Sequence, residues 1–568
     1  MTPTRPGESA GSARRPRRQL ALAAAAVALA AADTYVVVLA LPQMMAGVRL
    51  NIDDLQQATP IISGFLLGYV AVLPLIGALT DLLPRRTVLL GCLALFVAGS
   101  AVTALAVELP VLVAGRVVQG VGGGGLVPAT LALVADLWSP ERRGLPLGVV
   151  SAVQEVGSVL GPLLGAAVLA FADWRAIFWL NVLLALVLAG GLWMLARRDP
   201  PPEPHRRAVP GRSRGAPLLG VVGAGLLGVA LWAPYRLVVH VTWGLPFVPF
   251  VAGSRVLTPI GLVSVAILIA AAAWQWLRWR QIRAGVDLWG ASLMALALGA
   301  LVLTFASADP ERDVVGPLAG VLAPVGVLAI IGYVVRHRRA TAPLIPRGIL
   351  RRRVVPALLV SLAVGAALVA VVVNVPVLAR LTVTDDHTQA AFILLRFLAA
   401  VPVGAVIGGW LLRWLPAGVV AVPALAVTSA ALALMAGRGA QGVAGAGATA
   451  VLIAAGLGVG AAAAPVNAAA LADSAHAHHG MISSLVVLAR MVGMIVGLAL
   501  LTAIGLRRFY AAAASLSPGD VAGLRLAGVV QVQTVFAGAA WVALAGAVGS
   551  GWLGWRSGSA SGSDVTKT

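Results

Sequence analysis

Apolar runs of roughly 20 residues recur from one end of this chain to the other, the length a helix needs to cross the hydrocarbon core of a bilayer. Inside lipid every backbone N–H and C=O must be bonded within the protein, so such runs allow only helices or a closed barrel. A barrel would alternate polarity in short segments, a pattern these runs lack. Of 568 residues, 60% are hydrophobic and 11% are charged, too few polar groups to cover a water-soluble domain of this size. The chain reads as an all-α polytopic membrane protein.

Six apolar segments open the chain, at roughly 20–42, 58–81, 87–107, 109–136, 145–170 and 175–196. Six more close it, at roughly 354–381, 390–415, 418–437, 448–473, 481–506 and 529–555. Between them lie the Pro- and Arg-rich linker "RRDPPPEPHRRAVPGRSRG" and about four further apolar segments, near 217–235, 259–277, 286–307 and 314–335. The expected organisation is a basic tail (1–19), a first six-helix bundle (20–197), a linker with extra helices (198–353), a second bundle (354–556) and a closing tail (557–568).

The net charge of +20 lies in short loops, which is a topology signal and not a nucleic-acid surface. Alternate loops carry "LPRR", "SPERRG", the Arg-rich linker, "RWRQIRAG" and "RHRRATAPLIPRGILRRR", and these belong in the cytoplasm. The intervening loops carry "NIDD", "VELP", "ADPERD" and "TVTDDH" and belong outside. The alternation holds for about sixteen spans with both termini cytoplasmic, or fourteen if 217–277 forms a re-entrant or surface hairpin. The single Cys92 gives no intrachain disulfide and no metal site. The three histidines of "DSAHAHHG" (His476, His478, His479) read as a solvated turn, and no cofactor is expected.

"GALTDLLP" (Gly77 to Pro84) and "GWLLRWLP" (Gly409 to Pro416) end the second span of each six-helix block and share the pattern G-x-L-x-charge-x-L-P. That repetition fits an ancestral duplication of the kind found in parallel-repeat transporters. "GALTDLLPRR" resembles the loop 2–3 motif of the major facilitator superfamily, with Gly77, Asp81, Arg85 and Arg86 in place and Pro84 where Gly is usual. "LVAGRVVQGVGGGG" is similar to the fourth-helix motif, with Arg116, Gln119 and Gly120 matching. "GSVLGPLLGA" resembles the fifth-helix antiporter motif, with Ala166 replacing its final Gly. "DTYVVV", "LLRFLAAVPVGAVIGGWL" and "ARMVGMIVGLALLTAIGLRRFY" are similar to the actinobacterial exporters of triacylglycerides and drugs. The resemblance leaves segment 215–280 unaligned. It implies the major facilitator fold, two six-helix bundles with extra central helices, and a lipid-binding lipoprotein as a possible partner.

In the antiporter motif, Gly157, Gly161 and Gly165 repeat every four residues, so they share a helix face and let a neighbour approach closely. Pro162 removes one backbone bond and bends the helix. Glu155 sits two residues before Gly157, roughly 200° around the helix, and is free to face protein or water. A mid-membrane carboxylate costs about 2.5–3.5 kcal/mol, so it usually has a function. The other charges well inside spans are Asp33, Arg116, Arg396 and Arg490. The expectation is that Asp33 and Glu155 take up protons and that Arg490, in the matching helix of the second half, reads their charge. A static ion pair holding the halves together is the simpler alternative.

Asp81 with Arg85 and Arg86 sits at the cytoplasmic edge, where it could latch one conformation by pairing with Arg142 or Arg143. Arg116 and Gln119 share a helical side and would relay protons, touch substrate or pack against Asp33. Arg396 would line the pathway or snorkel to the outer surface. Asn374 and Asn467 would orient substrate or bond a neighbouring helix. The connection "RRFYAAAASLSPGDVAGLRL" would, by the resemblance, extend the last helix pair outward, where lipid is handed on.

Together these features describe a proton-coupled secondary transporter that exports apolar or amphipathic molecules by alternating access. The alternative is a triacylglyceride-type lipid exporter acting with a lipoprotein. A membrane-embedded lipid-modifying enzyme is disfavoured, because the sequence has no paired acids, no nucleophile–base motif and no loop long enough for a catalytic domain. The expected partners are bilayer lipid, protons and a small-molecule substrate, with no nucleic acid.

Overall fold

The computed structural model describes residues 6–50, 55–196, 215–239, 244–251, 254–278, 285–306, 315–316, 318–350, 353–384, 386–439, 443, 445–472, 475–517 and 520–554. No strand occurs among them. The first six helices are α1 (Pro6–Gly47), α2 (Leu55–Leu82), α3 (Arg85–Leu105), α4 (Leu109–Leu137), α5 (Gly144–Leu169) and α6 (Arg175–Ala196). The linker supplies α7 (Gly215–Trp232), α8 (Pro259–Arg278), α9 (Leu288–Ala306) and α10 (Ala319–Arg339). The last six are α11 (Val354–Thr382), α12 (His387–Leu411), α13 (Ala417–Arg438), α14 (Gly445–Ala472), α15 (His479–Ala513) and α16 (Val521–Ser550).

Among the described residues, 14 helices are long and apolar enough to cross a membrane. The reading of about sixteen spans is thereby corrected to fourteen. The two not counted among them are α7 and α8, helices of 18 and 20 residues of which the stretches Leu218–Trp232 and Pro259–Gln275 are apolar. They pack against each other. Many of the charged loops used to orient the chain, including "NIDD" and most of the Arg-rich linker, lie outside the described residues.

The chain divides into two compact units. The first comprises Met1–Ala129, Leu160–Ser307 and Pro317–Pro346, and the second Thr130–Val159, Ala308–Gly316 and Arg347–Thr568. Helices α4 and α5 are therefore shared, α4 lying mostly in the first unit and α5 mostly in the second.

In the first unit α6 packs on α1 and α3, and in the second α16 packs on α11 and α13, the same first-to-sixth and third-to-sixth pairing. The turns that carried the repeated L-P motif also match. Pro84 precedes α3 with φ −56° and ψ 130°, and Pro416 precedes α13 with φ −62° and ψ 155°. Proline fixes φ and has no N–H to leave unbonded, so each turn restarts the helix directly.

The interior of the first unit gathers Met44, Ile61, Trp174 and Phe178 at one end of α1, α2 and α6. Helix α9 packs on α2, whereas α10 exposes Val321, Leu328, Ile330 and Ile331 along its length. Such a face suits lipid and needs no protein partner. In the second unit α15 runs for 35 residues, or about 52 Å of helix, well beyond a hydrocarbon core of about 30 Å. Asp520 caps the returning helix α16 by accepting from the Gly523 N–H at 2.8 Å.

Candidate functional site: two buried charge centres

The first centre lies inside the first unit and is built on Asp33 of α1, which is 1% exposed. Arg116 Nη1 of α4 stands 2.6 Å from Asp33 Oδ2. Asp33 Oδ1 accepts from Gln119 Nε2 at 2.9 Å and from Asn181 Nδ2 of α6 at 2.6 Å. Arg116 also donates to Gln119 Oε1 at 2.6 Å and, through Nε, to the Ile61 carbonyl of α2 at 3.3 Å. Gln119 is held in turn by Ser100 Oγ of α3 at 2.9 Å. The guanidinium lies over the Phe65 ring, 4.6 Å from its centroid.

The glycine run after Gln119 makes this density possible. Gly120 and Gly124 lie directly against the backbone of α2 at Phe65 and Tyr69, and Gly122 lies against α3 at Phe96. A Cβ at these positions would collide with backbone and push α2 and α3 away from the charge centre. The fourth-helix motif thus brings the charged pair and its packing surface in one stretch of sequence.

The second centre lies inside the second unit. Arg490 Nη2 of α15 donates to Glu155 Oε1 of α5, with both side chains largely buried. Arg490 sits where α15 meets α11 most closely, since Gly365 packs against its carbonyl and Gly493 packs against the Leu362 carbonyl. The N-terminal half of α5 is fixed by Gly144 and Gly148, which meet Gly409 and Ala405 of α12 and Leu412 just beyond it. Glu155 is therefore turned toward protein and not toward lipid.

Of the remaining antiporter residues, Gly161, Pro162 and Gly165 belong to the first unit and Gly157 to the second. Gly161 packs on the Ala32 carbonyl and Gly165 on the Val36 side chain, so the stripe presses α5 against α1 one residue from Asp33. Gly157 is buried as well, and α5 continues through Pro162 as far as Leu169. Asp81 accepts from Arg85 at 3.2 Å, one helical turn away, with Arg85 almost wholly buried. Gly77 is buried and Arg86 half-buried beside them.

The candidate pathway residues are bonded more locally. Asn374 donates to the Ala370 carbonyl at 2.9 Å and Asn467 to the Ala463 carbonyl at 3.0 Å, each within its own helix. Arg396 donates to Thr449 Oγ1 of α14 at 2.8 Å.

Two residues were not singled out in the sequence. Asn181 and Ser100 complete the Asp33 network. The signal for Asn181 was a lone amide in the apolar run "FWLNVLLAL". His479 is buried, with Nδ1 3.6 Å from Asp136 Oδ1 at the end of α4, so it is no part of a solvated turn. Nearby, Arg143 donates to the Leu471 carbonyl at 3.3 Å, and burial lowers its pKa from the ordinary arginine value. Among the described residues no group of three or more His, Cys, Asp or Glu side chains could hold a metal ion.

Residues 23–335 match the family model of the Major Facilitator Superfamily. A triacylglyceride transporter of Mycobacteroides abscessus is 35% identical over 497 residues, covering 85% of this chain and 81% of that protein. One from Mycolicibacterium hassiacum is 34% identical over 535 residues, covering 91% and 85%. One from Mycobacterium tuberculosis H37Rv is 34% identical over 521 residues, covering 88% and 85%. Among solved structures, the human organic anion transporter MFSD10 superposes with a TM-score of 0.57 at 15% identity, covering 94% of this chain and 99% of that one. The proton:xylose symporter XylE gives a TM-score of 0.52 at 12% identity, covering 92% and 95%. Their identities are low enough that they speak to the fold alone. With its fourteen spans, its repeated helix pairing and this likeness to mycobacterial transporters, the chain belongs to the Major Facilitator Superfamily.

Proposed function

We propose that this protein is a proton-driven exporter of triacylglyceride-class lipid, working by alternating access. The lipid assignment rests on the relatives named triacylglyceride transporters, which match 85–91% of this chain at 33–35% identity. Proton coupling rests on the two membrane-embedded carboxylates, both buried in protein and each held by an arginine. Burying such groups is expensive unless they carry out a task or pair permanently.

In this reading a proton reaching Glu155 neutralises it and releases Arg490, which lets α5 and α15 separate. A proton reaching Asp33 must displace one of the three donors that hold its oxygens. Asn181 is the simplest to exchange, because its amide can turn and present its carbonyl oxygen to a protonated acid. Protons then move inward as lipid moves outward, with both termini in the cytoplasm. Asp81 and its arginines act at the cytoplasmic edge as the latch of one conformation. Lipid leaves along the extended α15–α16 pair to a lipid-binding lipoprotein.

The substrate class is tested with purified protein in liposomes, by comparing labelled triacylglycerol with cationic dyes under an imposed pH gradient. Gradient-driven movement of triacylglycerol is expected. Movement of dyes without triacylglycerol would replace the lipid reading with multidrug efflux.

A further inference from the structure

In the second unit the end of α4 meets the start of α15, and a titratable residue stands at each of these ends. Asp136 lies in the last turn of α4, and His479 is the first residue of α15. His479 is 1% exposed and the Asp136 side chain 15%, and imidazole Nδ1 lies 3.6 Å from carboxylate Oδ1. The two helices come from different six-helix blocks, so this contact joins the blocks.

The separation makes the contact depend on charge. At 3.6 Å a neutral imidazole makes no proper hydrogen bond to that oxygen. An imidazolium at the same distance makes an ion pair, and burial keeps salt and water from screening it. The helix dipoles act in the same direction. A cation is unfavourable at a helix N-terminus and an anion at a C-terminus. Each residue therefore sits at the wrong end of its own helix and faces the right end of the other. When the two ends part, that compensation is lost together with the pair.

The other charges on the elements packed here are placed differently. Arg143, just ahead of α5, points its guanidinium at the Leu471 carbonyl of α14, 3.3 Å away. Glu141 and Arg142 are exposed on the loop between α4 and α5, and His478 is half-buried just before α15. Asp81, Arg85 and Arg86 of the first unit belong to the same membrane edge by loop charge.

We propose that protonation of His479 fastens the start of α15 to the end of α4, and that loss of this proton loosens the contact. The pair is then a pH-sensitive clasp between the two six-helix blocks. Loop charge puts it on the cytoplasmic side. Its consequence rests on the transport reading: an acid cytoplasm holds that end shut and slows further proton entry. The sign is opposite to that of Glu155, whose protonation releases Arg490.

The test is the distance between nitroxides on Ser139→Cys and Ala477→Cys, both exposed positions. The full chain carries Cys92→Ala and is reconstituted in phosphatidylcholine–phosphatidylglycerol liposomes. Pulsed electron resonance is recorded at about pH 5.5 and about pH 8.5, on either side of the range in which histidine changes charge. A short distance should dominate at the lower pH, and a longer population should grow at the higher one. His479→Gln should lose this dependence, and His478→Gln should follow the parent. His479→Arg, whose charge is permanent, should keep the short distance at both values, so the test survives if one His479 variant fails to fold. A parent distribution that ignores pH would overturn the proposal, as would a dependence that survives in His479→Gln or vanishes in His478→Gln. The readout needs no transport. Repeating it with Glu155→Gln, where the dependence should persist, keeps a failure of the proton-coupling reading separate from a failure of the clasp.

Discussion

Arg116 Nη1 lies 2.6 Å from Asp33 Oδ2, with both side chains sealed from the surface by α2, α3, α4 and α6. Each ion is the other's compensation for lost hydration. Breaking a buried pair from one side is far worse than never having it, because the remaining charge has no water to turn to. Arg116→Ala should therefore destabilise the protein by about 3–5 kcal/mol, seen as a large drop in the detergent unfolding midpoint. Asp33→Asn leaves Arg116 unpaired by the same rule and sets an NH2 among three donors, so it should also lower the midpoint, and the protein that still folds should lose proton-driven transport.

Glu155 and Arg490 make the second test. Glu155→Gln removes the charge and keeps the shape, so the protein should reach the membrane in normal amount. Its transport in liposomes should no longer respond to the pH gradient, while exchange of lipid down its own gradient persists. A static pair predicts the reverse, with lower stability and unchanged coupling.

The antiporter stripe makes a packing prediction with an internal control. A Cβ on Gly161 would run into the Ala32 carbonyl, whereas one on Gly190 of α6 meets nothing within 4 Å. Gly161→Ala should cost about 1–3 kcal/mol through forced separation of α5 from α1. Gly190→Ala should stay within about 0.5 kcal/mol of the parent. Unfolding midpoints of the two proteins in one detergent make the comparison.

The linker helices carry an ion pair outside the transport reading. Asp287 caps α9 by accepting from the Gly290 N–H at 3.0 Å and also holds Arg336 of α10 at 3.0 Å. Arg336 is partly exposed, so the pair is screened and worth little beyond the cap. Asp287→Ala should lower stability by about 1 kcal/mol, mostly as a lost helix cap, and leave the pH dependence of transport untouched.

Much of this was legible in the chain because lipid imposes simple rules. Span length and loop charge follow from bilayer thickness and insertion, and the motif glycines could be placed on a helix face by counting. The α7–α8 pair was harder to read, because helices of 18 and 20 residues sit at the margin of spanning length. The partner of Asp33 was also not fixed by spacing. Asp33 and Arg116 are separated by 83 positions and meet only once α1 and α4 are packed. Asn181 was overlooked because a single amide in an apolar helix carries no periodic signal. His479 was misread as solvated because burial of a loop-adjacent histidine depends on what covers it, here α4 at Asp136.

The central claim is that Asp33 and Glu155 take up the protons that drive lipid export. The most direct measurement is proton flux in liposomes holding a trapped pH indicator, recorded when triacylglycerol is supplied to one side. The account predicts proton movement that begins with lipid in the parent protein and is absent in Asp33→Asn and Glu155→Gln. Lipid transport without proton movement in the parent, or full coupling in both variants, would contradict it.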